Sequence, residues 1–370
     1  MRTKWEIKRI GDICEVIGGS TPRTNIDAFW NGLNFWITPA ELYGSKWIHS
    51  SCRKITDYAI QKTNLKLLPA GTVLLSSRAP IGKVAITSVP MYCNQGFKNI
   101  VCSKSILNEY VYYFLTHNVE YIKSLGQGAT FKEISKKVVE NILIPTPPLE
   151  IQEHIIHQLN LLSSIINNKK KQLEELDKLA KAIFYDMFGD PITNEKGWKE
   201  RSLTDVCTNL FAGGDVPKGD YSETKTEQHS IPILSNGVGD KALYGYTSKP
   251  RVNEVSLTIS GRGTIGYCEV RTTPFLPVVR LIVATPNTDI ILPITLKFIV
   301  DALKLKGTGG TIPQLTIPMI KNKKVFLPPI GIQQEFASKI EALEKQKELI
   351  KLSLSETEML FNSRMDYYFN

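Results

Sequence analysis

The sequence predicts an α+β fold: two similar mixed α/β globular domains, separated by two long helices that pair as an antiparallel coiled coil. Three observations support this prediction. Two stretches of about forty residues carry apolar residues three and four positions apart, which is typical of paired helices. Short motifs recur in the same order roughly 181 residues later, which indicates an internal duplication. Between the long stretches, strand-like and helix-like segments follow one another without regular alternation.

The first long helix is predicted over 149–190. Pro147 and Pro148 precede it, where a missing N–H costs nothing, and Gly189 and Pro191 suit its end. Its length would be roughly 60 Å, which is too long for one face of a compact domain. Its apolar seam skips only Lys169 and consists of Ile151, Ile155, Leu159, Leu162, Ile166, Leu173, Leu176, Ala180, Ile183 and Met187.

The second long helix is predicted over 330–370 and repeats the opening of the first, with Pro328 and Pro329 before it. A seam with this spacing needs a partner helix, and the two seams can satisfy each other. A parallel pairing would require a connection as long as the helices, so we expect an antiparallel pair. The seam of the second helix is Ile332, Phe336, Ile340, Leu343, Ile350, Leu354, Leu360, Phe361 and Tyr368.

These helices divide the chain into a domain over 1–148, a helix over 149–190, a domain over 191–329 and a helix over 330–370. The charge is distributed unevenly among them. The first domain has 18 Lys and Arg against 10 Asp and Glu, and the second has 17 against 12, whereas each helix has 5 against 7. Basic domains suggest a polyanionic partner, most often nucleic acid, although the charge could also serve solubility alone.

Both domains share a frame of short motifs. A segment from Trp5 to Cys14 matches one from Trp198 to Cys207. Each is followed by a turn rich in Gly and Pro, over 18–23 and 212–218, where basic side chains and free N–H groups can meet phosphates. Thr21, Arg23 and Lys218 are the candidates there, and a plain surface turn is the alternative.

A hairpin with the pattern Ser-x-Arg-x-x-Ile-Gly follows in both domains, with Arg78 at its tip in the first and Arg262 in the second. Arginine is the side chain best shaped to bind a guanine edge or a phosphate with two hydrogen bonds. We therefore predict a DNA contact at both positions. The alternative is a structural arginine that ties the turn to backbone carbonyls.

A helix then follows in each domain, over 109–125 and 295–305, and ends in a glycine-rich turn, over 126–132 and 307–314. Gly128 matches Gly309, and Thr130 matches Thr311. Gln127 and Gln314 are further candidates for DNA contacts, and the phosphate candidates in less favourable positions are Lys83, Lys98, Lys132, Lys218 and Arg271.

The sequence lacks the motifs of common catalytic sites. There is no phosphate-binding loop, no methyltransferase tetrad and no metal-binding pattern, and His154 and His157 are expected to be exposed helix residues. We therefore expect no catalytic residues, no cofactor and no metal. Six scattered cysteines fit a reducing cytoplasm, and no apolar run is long enough to span a membrane.

In the order of these duplicated motifs, the chain resembles the specificity subunit of Type I restriction–modification systems. The segment Phe184-Tyr185-Asp186-Met187-Phe188-Gly189-Asp190-Pro191 is a further point of resemblance. The resemblance implies two target-recognition domains that each read half of a split site in double-stranded DNA. It also implies helices that bind two methyltransferase subunits, and endonuclease subunits that join the assembly.

Two other functions remain open from the residues alone. The chain could be the DNA-reading part of a self-contained nuclease or methyltransferase, although such fusions need a large additional region. It could also be a coiled-coil scaffold that binds only proteins, which the basic domains argue against. Salt-sensitive binding of DNA would separate the scaffold from the DNA-binding subunit.

Overall fold

The computed structural model describes residues 5–78, 80–128, 132–309 and 313–370. The chain forms two compact units. Unit 1 takes the chain up to Lys169 together with Ser353–Asn370, and unit 2 is Lys170–Leu352. Each unit therefore contains one globular domain and half of each long helix. The division of the sequence into four segments stays a prediction, because the two compact units each combine a domain with parts of both long helices.

The described part of unit 1 contains ten strands, five short helices and the start of the first long helix. The strands are β1 (Ile7–Arg9), β2 (Cys14–Gly18), β3 (Trp30–Ile37), β4 (Trp47–Ile48), β5 (Arg53–Ile55), β6 (Val73–Leu75), β7 (Val84–Thr87), β8 (Tyr92–Cys93), β9 (Lys98–Cys102) and β10 (Leu143–Pro145). The helices are α1 (Ile10–Ile13), α2 (Asp57–Lys62), α3 (Asn108–His117), α4 (Val119–Ser124), α5 (Lys136–Glu140) and the start of the long helix α6 (Leu149–Phe188).

These strands form a five-stranded sheet in the order β2-β9-β6-β7-β4, a three-stranded sheet β5-β3-β8 and the pair β1-β10. The pairings are antiparallel except β4 with β7 and β3 with β8. The helix predicted over 109–125 is in fact two helices, so its continuity was predicted wrongly. The break lies at Asn118, whose side-chain amide donates to the carbonyl of Phe114 at 3.0 Å.

Unit 2 repeats this plan with fewer strands. Its elements are β11 (Lys199–Ser202), β12 (Cys207–Ala212), β13 (Ile231–Leu234), β14 (Leu243–Thr247), β15 (Ser256–Ile259), β16 (Cys268–Arg271), β17 (Leu276–Pro277), β18 (Ile282–Pro286), α7 (Pro293–Ala302), α8 (Ile317–Ile320), β19 (Lys324–Leu327) and the start of α9 (Ile330–Phe369). The sheets are β12-β18-β15-β16, β14-β13-β17 and β11-β19. The predicted α+β class and the duplication are confirmed.

The long helices run antiparallel within each unit. In unit 1, Lys169 of α6 donates to the hydroxyls of Ser353 and Thr357 of α9 at 2.6 and 2.8 Å. Eleven residues earlier in α6, Gln158 accepts from Tyr368, which lies later in α9. In unit 2, Phe188 near the end of α6 packs against Phe336 near the start of α9, with ring centroids 5.1 Å apart. Lys169, the position that the apolar seam of α6 skips, therefore makes polar contacts with α9 that favour this register.

Most seam residues are buried or half-buried, and two are not. Ile151 is 41% exposed and Leu360 is 46% exposed, so the first turn of α6 and one position of α9 depart from the predicted seam. Each helix end enters the core of a domain. Met365 and Phe369 lie in the core of unit 1, and Phe184 and Phe188 lie in the core of unit 2. No helix in the described part of the chain is long and apolar enough to cross a bilayer.

A buried glutamine fastens each long helix to its domain. The side chain of Gln152 accepts from the N–H of Leu107 at 2.9 Å and donates to the carbonyls of Pro147 and Ser105 at 2.8 and 3.2 Å. Gln333 makes the same three bonds, accepting from Leu292 and donating to Pro328 and Ile290 at 2.8–3.0 Å. Both glutamines are fully buried.

Replacing Gln152 or Gln333 with leucine keeps the volume but leaves backbone groups at the junction without partners. Each buried polar group left unpaired costs about 1–3 kcal/mol. We therefore expect each variant to lower the thermal midpoint by at least about 2–4 °C, measured by circular dichroism. Glu153→Leu, at the exposed neighbouring position, is the matched control and should leave the midpoint unchanged. Wild-type midpoints for Gln152→Leu and Gln333→Leu would contradict the role of the buried amides.

Candidate nucleic-acid interface

The predicted hairpin forms in the same way in both units. The N–H of Ser76 donates to the carbonyl of Lys83, and the N–H of Gly82 donates back to the carbonyl of Ser76, at 2.9 and 3.0 Å. Ser260 exchanges the equivalent bonds with Tyr267 and Gly266, both at 2.9 Å. Gly82 and Gly266 have φ of 91° and 83°, a region that favours glycine. The Ile-Gly end of the motif is therefore required by the backbone of the turn. The hairpin places Arg78 and Arg262 at exposed tips.

The glycine-rich turn closes beside this hairpin. Gln127 and Glu133 exchange backbone hydrogen bonds across the turn in unit 1, as Thr308 and Gln314 do in unit 2. The next residue in each unit bonds to the hairpin: the N–H of Ile134 donates to Ser77, and that of Leu315 donates to Gly261, at 3.0 and 2.8 Å. Thr130 and Thr311, which the sequence matches to each other, lie outside the described residues.

The two hairpin arginines bind the residue that closes this turn. In unit 1, Arg78 Nε lies 2.9 Å from Glu133 Oε2, and Lys98 Nζ lies 3.1 Å from Glu133 Oε1. In unit 2, Arg262 Nη2 donates to Gln314 Oε1 at 2.9 Å. Each arginine therefore ties the turn through a side chain and not through the backbone carbonyls of the alternative, and both arginines are exposed; a DNA contact by them stays a prediction. The side chain of Arg78 is 48% exposed.

The neighbours of Glu133 keep its carboxyl group ionised. Partial burial raises the pKa of its carboxyl, but hydrogen bonds from Arg78 and Lys98 and their positive charges outweigh this and lower the pKa below its usual range. Glu133 is therefore ionised at neutral pH. Lys98, only 13% exposed, also donates to Ser77 Oγ at 3.3 Å.

Further loops join the hairpin and the glycine-rich turn in unit 1. The N–H of Ser77 donates to Gly96 at 2.7 Å, the N–H of Ser20 donates to Cys93 at 3.0 Å, and the hydroxyl of Thr21 donates to the side chain of Gln95. We call the loops over 18–23, 76–83, 93–98 and 126–134, within their described residues, the loop edge of unit 1. It gathers seven sequence candidates: Thr21, Arg23, Arg78, Lys83, Lys98, Gln127 and Lys132.

These candidates differ in how freely they can meet a ligand. The side chains of Arg23, Gln127 and Lys132 are exposed. Lys83 is half-buried, and its ammonium group donates to the carbonyl of Pro39 at 3.0 Å. Lys83 and Lys98 therefore already bind groups of the protein, whereas the exposed Arg23, Gln127 and Lys132 are accessible to a ligand.

Unit 2 builds its loop edge from 212–218, 235–239, 260–266, 278–281 and 307–315, within their described residues. Asn236 lies at its centre, accepting from the N–H of Gly261 and donating to the carbonyl of Val279, both at 2.7 Å. The N–H of Val279 donates to Gly214 at 2.9 Å. This edge gathers Lys218, Arg262 and Gln314 from the sequence candidates.

Sequence reasoning missed the turn at Val279 and Arg280, which lies on this edge. Val279 and Arg280 have φ of 52° and 63°, and a branched residue rarely adopts such a backbone. Asn236 links this turn to the hairpin, because it donates to the carbonyl of Val279 and accepts from the N–H of Arg262 at 3.3 Å. The guanidinium of the exposed Arg280 donates to the carbonyl of Gly213 at 3.5 Å. Nothing in the local sequence indicates the strained turn, because Val-Val-Arg-Leu reads as a strand. Arg280 joins the candidates on the basis of this geometry.

Arg271 is not brought to the loop edge. It ends β16, whose first residue, Cys268, follows the hairpin. Its guanidinium binds both oxygens of Glu269 at 2.9 Å, and its Nε donates to Thr258 at 3.2 Å. Its side chain is 18% exposed. A DNA contact by Arg271 stays a prediction, and its contacts give it a structural role.

Two repeated domains, each with a basic loop edge on a rigid frame, define a class of tandem nucleic-acid-recognition proteins with paired long helices. The family described as Type I restriction modification DNA specificity domain matches residues 2–178 and 195–358. The chain belongs to this family, as the resemblance of its motifs implied.

Relatives and solved structures agree with this assignment. The chain is 33% identical to the Type I restriction enzyme MjaIX specificity subunit of Methanocaldococcus jannaschii over 378 aligned positions, covering 92% of this chain and 86% of that protein. It is 29% identical to the EcoR124I/EcoR124II specificity subunit of Escherichia coli over 44% of this chain and 42% of that one. Its fold matches that of the S subunit from M. genitalium with a TM-score of 0.65 at 15% identity, covering 100% of this chain and 97% of that chain.

Three arginines allow a direct test of the loop edge. Arg78→Ala and Arg262→Ala remove exposed interactions worth about 0–1 kcal/mol, so they should leave the thermal midpoint nearly unchanged and weaken binding to DNA. Arg201→Ala, at an exposed position of β11 outside both loop edges, is the control and should leave both the midpoint and the DNA affinity unchanged. Calorimetry and fluorescence anisotropy of the full chain would measure both effects. Wild-type DNA affinity for both Arg78→Ala and Arg262→Ala would contradict the assignment of the loop edges.

Proposed function

We propose that this chain is a non-catalytic subunit that recognises a bipartite site in double-stranded DNA and directs the modification and restriction subunits of a Type I complex to it. Each loop edge would read one half of the site. The assembled complex would methylate adenine and cleave DNA, with both reactions carried out by the partner subunits.

One observation carries this proposal: the same loop edge is built twice on one frame, with different side chains around the same hairpin arginine. The hairpin and the closing turn make the same backbone hydrogen bonds in both units. Their side chains differ, because Tyr267 stands in unit 2 where unit 1 has Lys83, and Gln314 where unit 1 has Glu133. A fixed frame with varied polar and basic tips suits the reading of two different base sequences.

The charge and the site chemistry support a binding role. The basic excess lies in the two domains that carry the loop edges. Among the described residues, no group of three or more His, Cys, Asp or Glu is arranged to hold a metal ion. Arg23, Lys132, Lys218 and Arg280 are exposed cations suited to phosphate contacts.

The long helices offer surfaces for protein partners. On α9, Leu349 and Leu352 in unit 2 are 69% and 61% exposed, and Met359 in unit 1 is 62% exposed. Exposed apolar side chains on a helix that already has its own partner suit a protein interface. We assign the methyltransferase subunits to the helices over 149–190 and 330–370.

The site specificity can be tested in the source cells. Methylated adenines should form a bipartite motif that disappears when the gene is deleted. Replacing residues 1–148 with the matching domain of a relative should change one half of the motif and leave the other half intact, because each edge lies within one unit. Sequencing that detects methylated adenine would measure this. A change in both halves would show that the two domains do not read independently.

The stoichiometry follows from the duplication. The duplicated long helices present two similar faces, so we expect two methyltransferase subunits for each copy of this chain. Light scattering of the co-purified complex would give its mass. A stable complex with a single methyltransferase subunit, when that subunit is in excess, would argue against two equivalent surfaces.

A further inference from the structure

The two loop edges hold their hairpin arginines in the same way but with different charge. Glu133 and Gln314 occupy the same place in the repeat, each closing the glycine-rich turn and each accepting a hydrogen bond from the arginine at 2.9 Å. One acceptor is an ion and the other is neutral. The placement of the acceptor is therefore the same in both units, although Arg78 uses Nε and Arg262 uses Nη2, while the charge of the acceptor differs.

We propose that Glu133 competes with DNA phosphate for Arg78, so that this arginine is masked in the free protein, whereas Gln314 leaves the charge of Arg262 available. Glu133 and Gln314 are thus positioning residues that set how strongly each edge attracts DNA. This inference rests on the proposed DNA-binding function and adds an asymmetry between the two half-site readers.

The surroundings of Glu133 favour this role. Its side chain is 36% exposed, and the Arg78 side chain beside it is 48% exposed, so a ligand can reach both. A carboxylate and a phosphate oxygen offer an arginine the same kind of charged acceptor. A phosphate that approaches Arg78 must also approach the carboxylate of Glu133, which repels it, whereas the second cation of the cluster, Lys98, is only 13% exposed and is poorly placed to bind the phosphate instead.

Lys98 explains why unit 1 carries the carboxylate. Its ammonium group is 13% exposed and is bonded to Glu133, which compensates its charge. The matching position in unit 2 is the fully buried Ile282, which needs no compensation. Unit 1 therefore combines a largely buried lysine with an arginine bound to a carboxylate. Unit 2 has an arginine bound to a neutral amide and an apolar residue at the position that matches Lys98.

The inference predicts opposite effects of two single substitutions on binding of a fluorescent duplex of mixed sequence by the full chain. Glu133→Gln should steepen the dependence of log affinity on log salt by about one, because one more phosphate contact becomes available. This is roughly a 3-fold greater loss of affinity between 50 and 200 mM KCl. Gln314→Glu should flatten the dependence by a similar amount.

The control is Glu140→Gln. Glu140 has a similar exposure of 35% and a lysine partner, Lys136, at 3.5 Å, but it lies on α5 outside the loop edge. It should leave the salt dependence unchanged. Glu133→Gln keeps an acceptor for Arg78 but removes the charge that compensates Lys98, so the thermal midpoint is measured for every variant; Gln314→Glu faces no such lysine, because Ile282 stands at the matching position. Gln314→Glu tests the same inference independently.

The outcomes separate the inference from the function on which it rests. If the wild-type chain bound DNA without salt dependence, or did not bind it, the proposed function would fail and the inference with it. If the wild type bound with normal salt dependence and Glu133→Gln behaved like Glu140→Gln, or Gln314→Glu changed nothing, only the inference would be overturned.

Discussion

The arrangement within each unit depends on one interaction, the buried side-chain amide at the start of each long helix. Gln152 and Gln333 each bind two carbonyls and one N–H from two segments of the domain. An amide in this position can be neither removed nor shifted without leaving buried polar groups unpaired. The helix must therefore leave its domain at a fixed residue and in a fixed direction. Because the interaction occurs twice, both junctions obey the same geometry.

This constraint organises the hydrophobic packing around it. Once the start of a helix is fixed on its domain, the end of the other helix completes the same core. Phe369 packs on Tyr110 in unit 1 with ring centroids 5.3 Å apart, and Phe188 packs on Phe336 in unit 2. The polar contact gives direction and the aromatic contacts give buried area, which is the larger source of stability. The antiparallel pairing seen within each unit follows from these two contacts together.

The rigid frame allows the loop edges to differ. Their backbones are held by hydrogen bonds between loops, so the side chains at the tips can change without altering the fold. Unit 1 carries a cluster of three charges, and unit 2 carries the strained turn at Val279 and Arg280. Strain of this kind persists only where surrounding contacts hold it, and Asn236 supplies one of them. Two different surfaces on one frame are what independent reading of two half-sites requires.

The sequence by itself determined the duplication, the α+β class, the extent of both long helices and the turns that carry Arg78 and Arg262. These features depend on local periodicity and on residues such as Gly82 whose backbone allows few alternatives. Only the tertiary structure decided what each side chain binds. The amide of Gln152 reaches Leu107, Arg78 meets Glu133, and Arg271 turns to Glu269 instead of the loop edge. The sequence also did not indicate the helix break at Asn118 or the strained turn at Arg280. Contacts between residues distant in sequence depend on how the whole domain packs, and no local pattern records that packing.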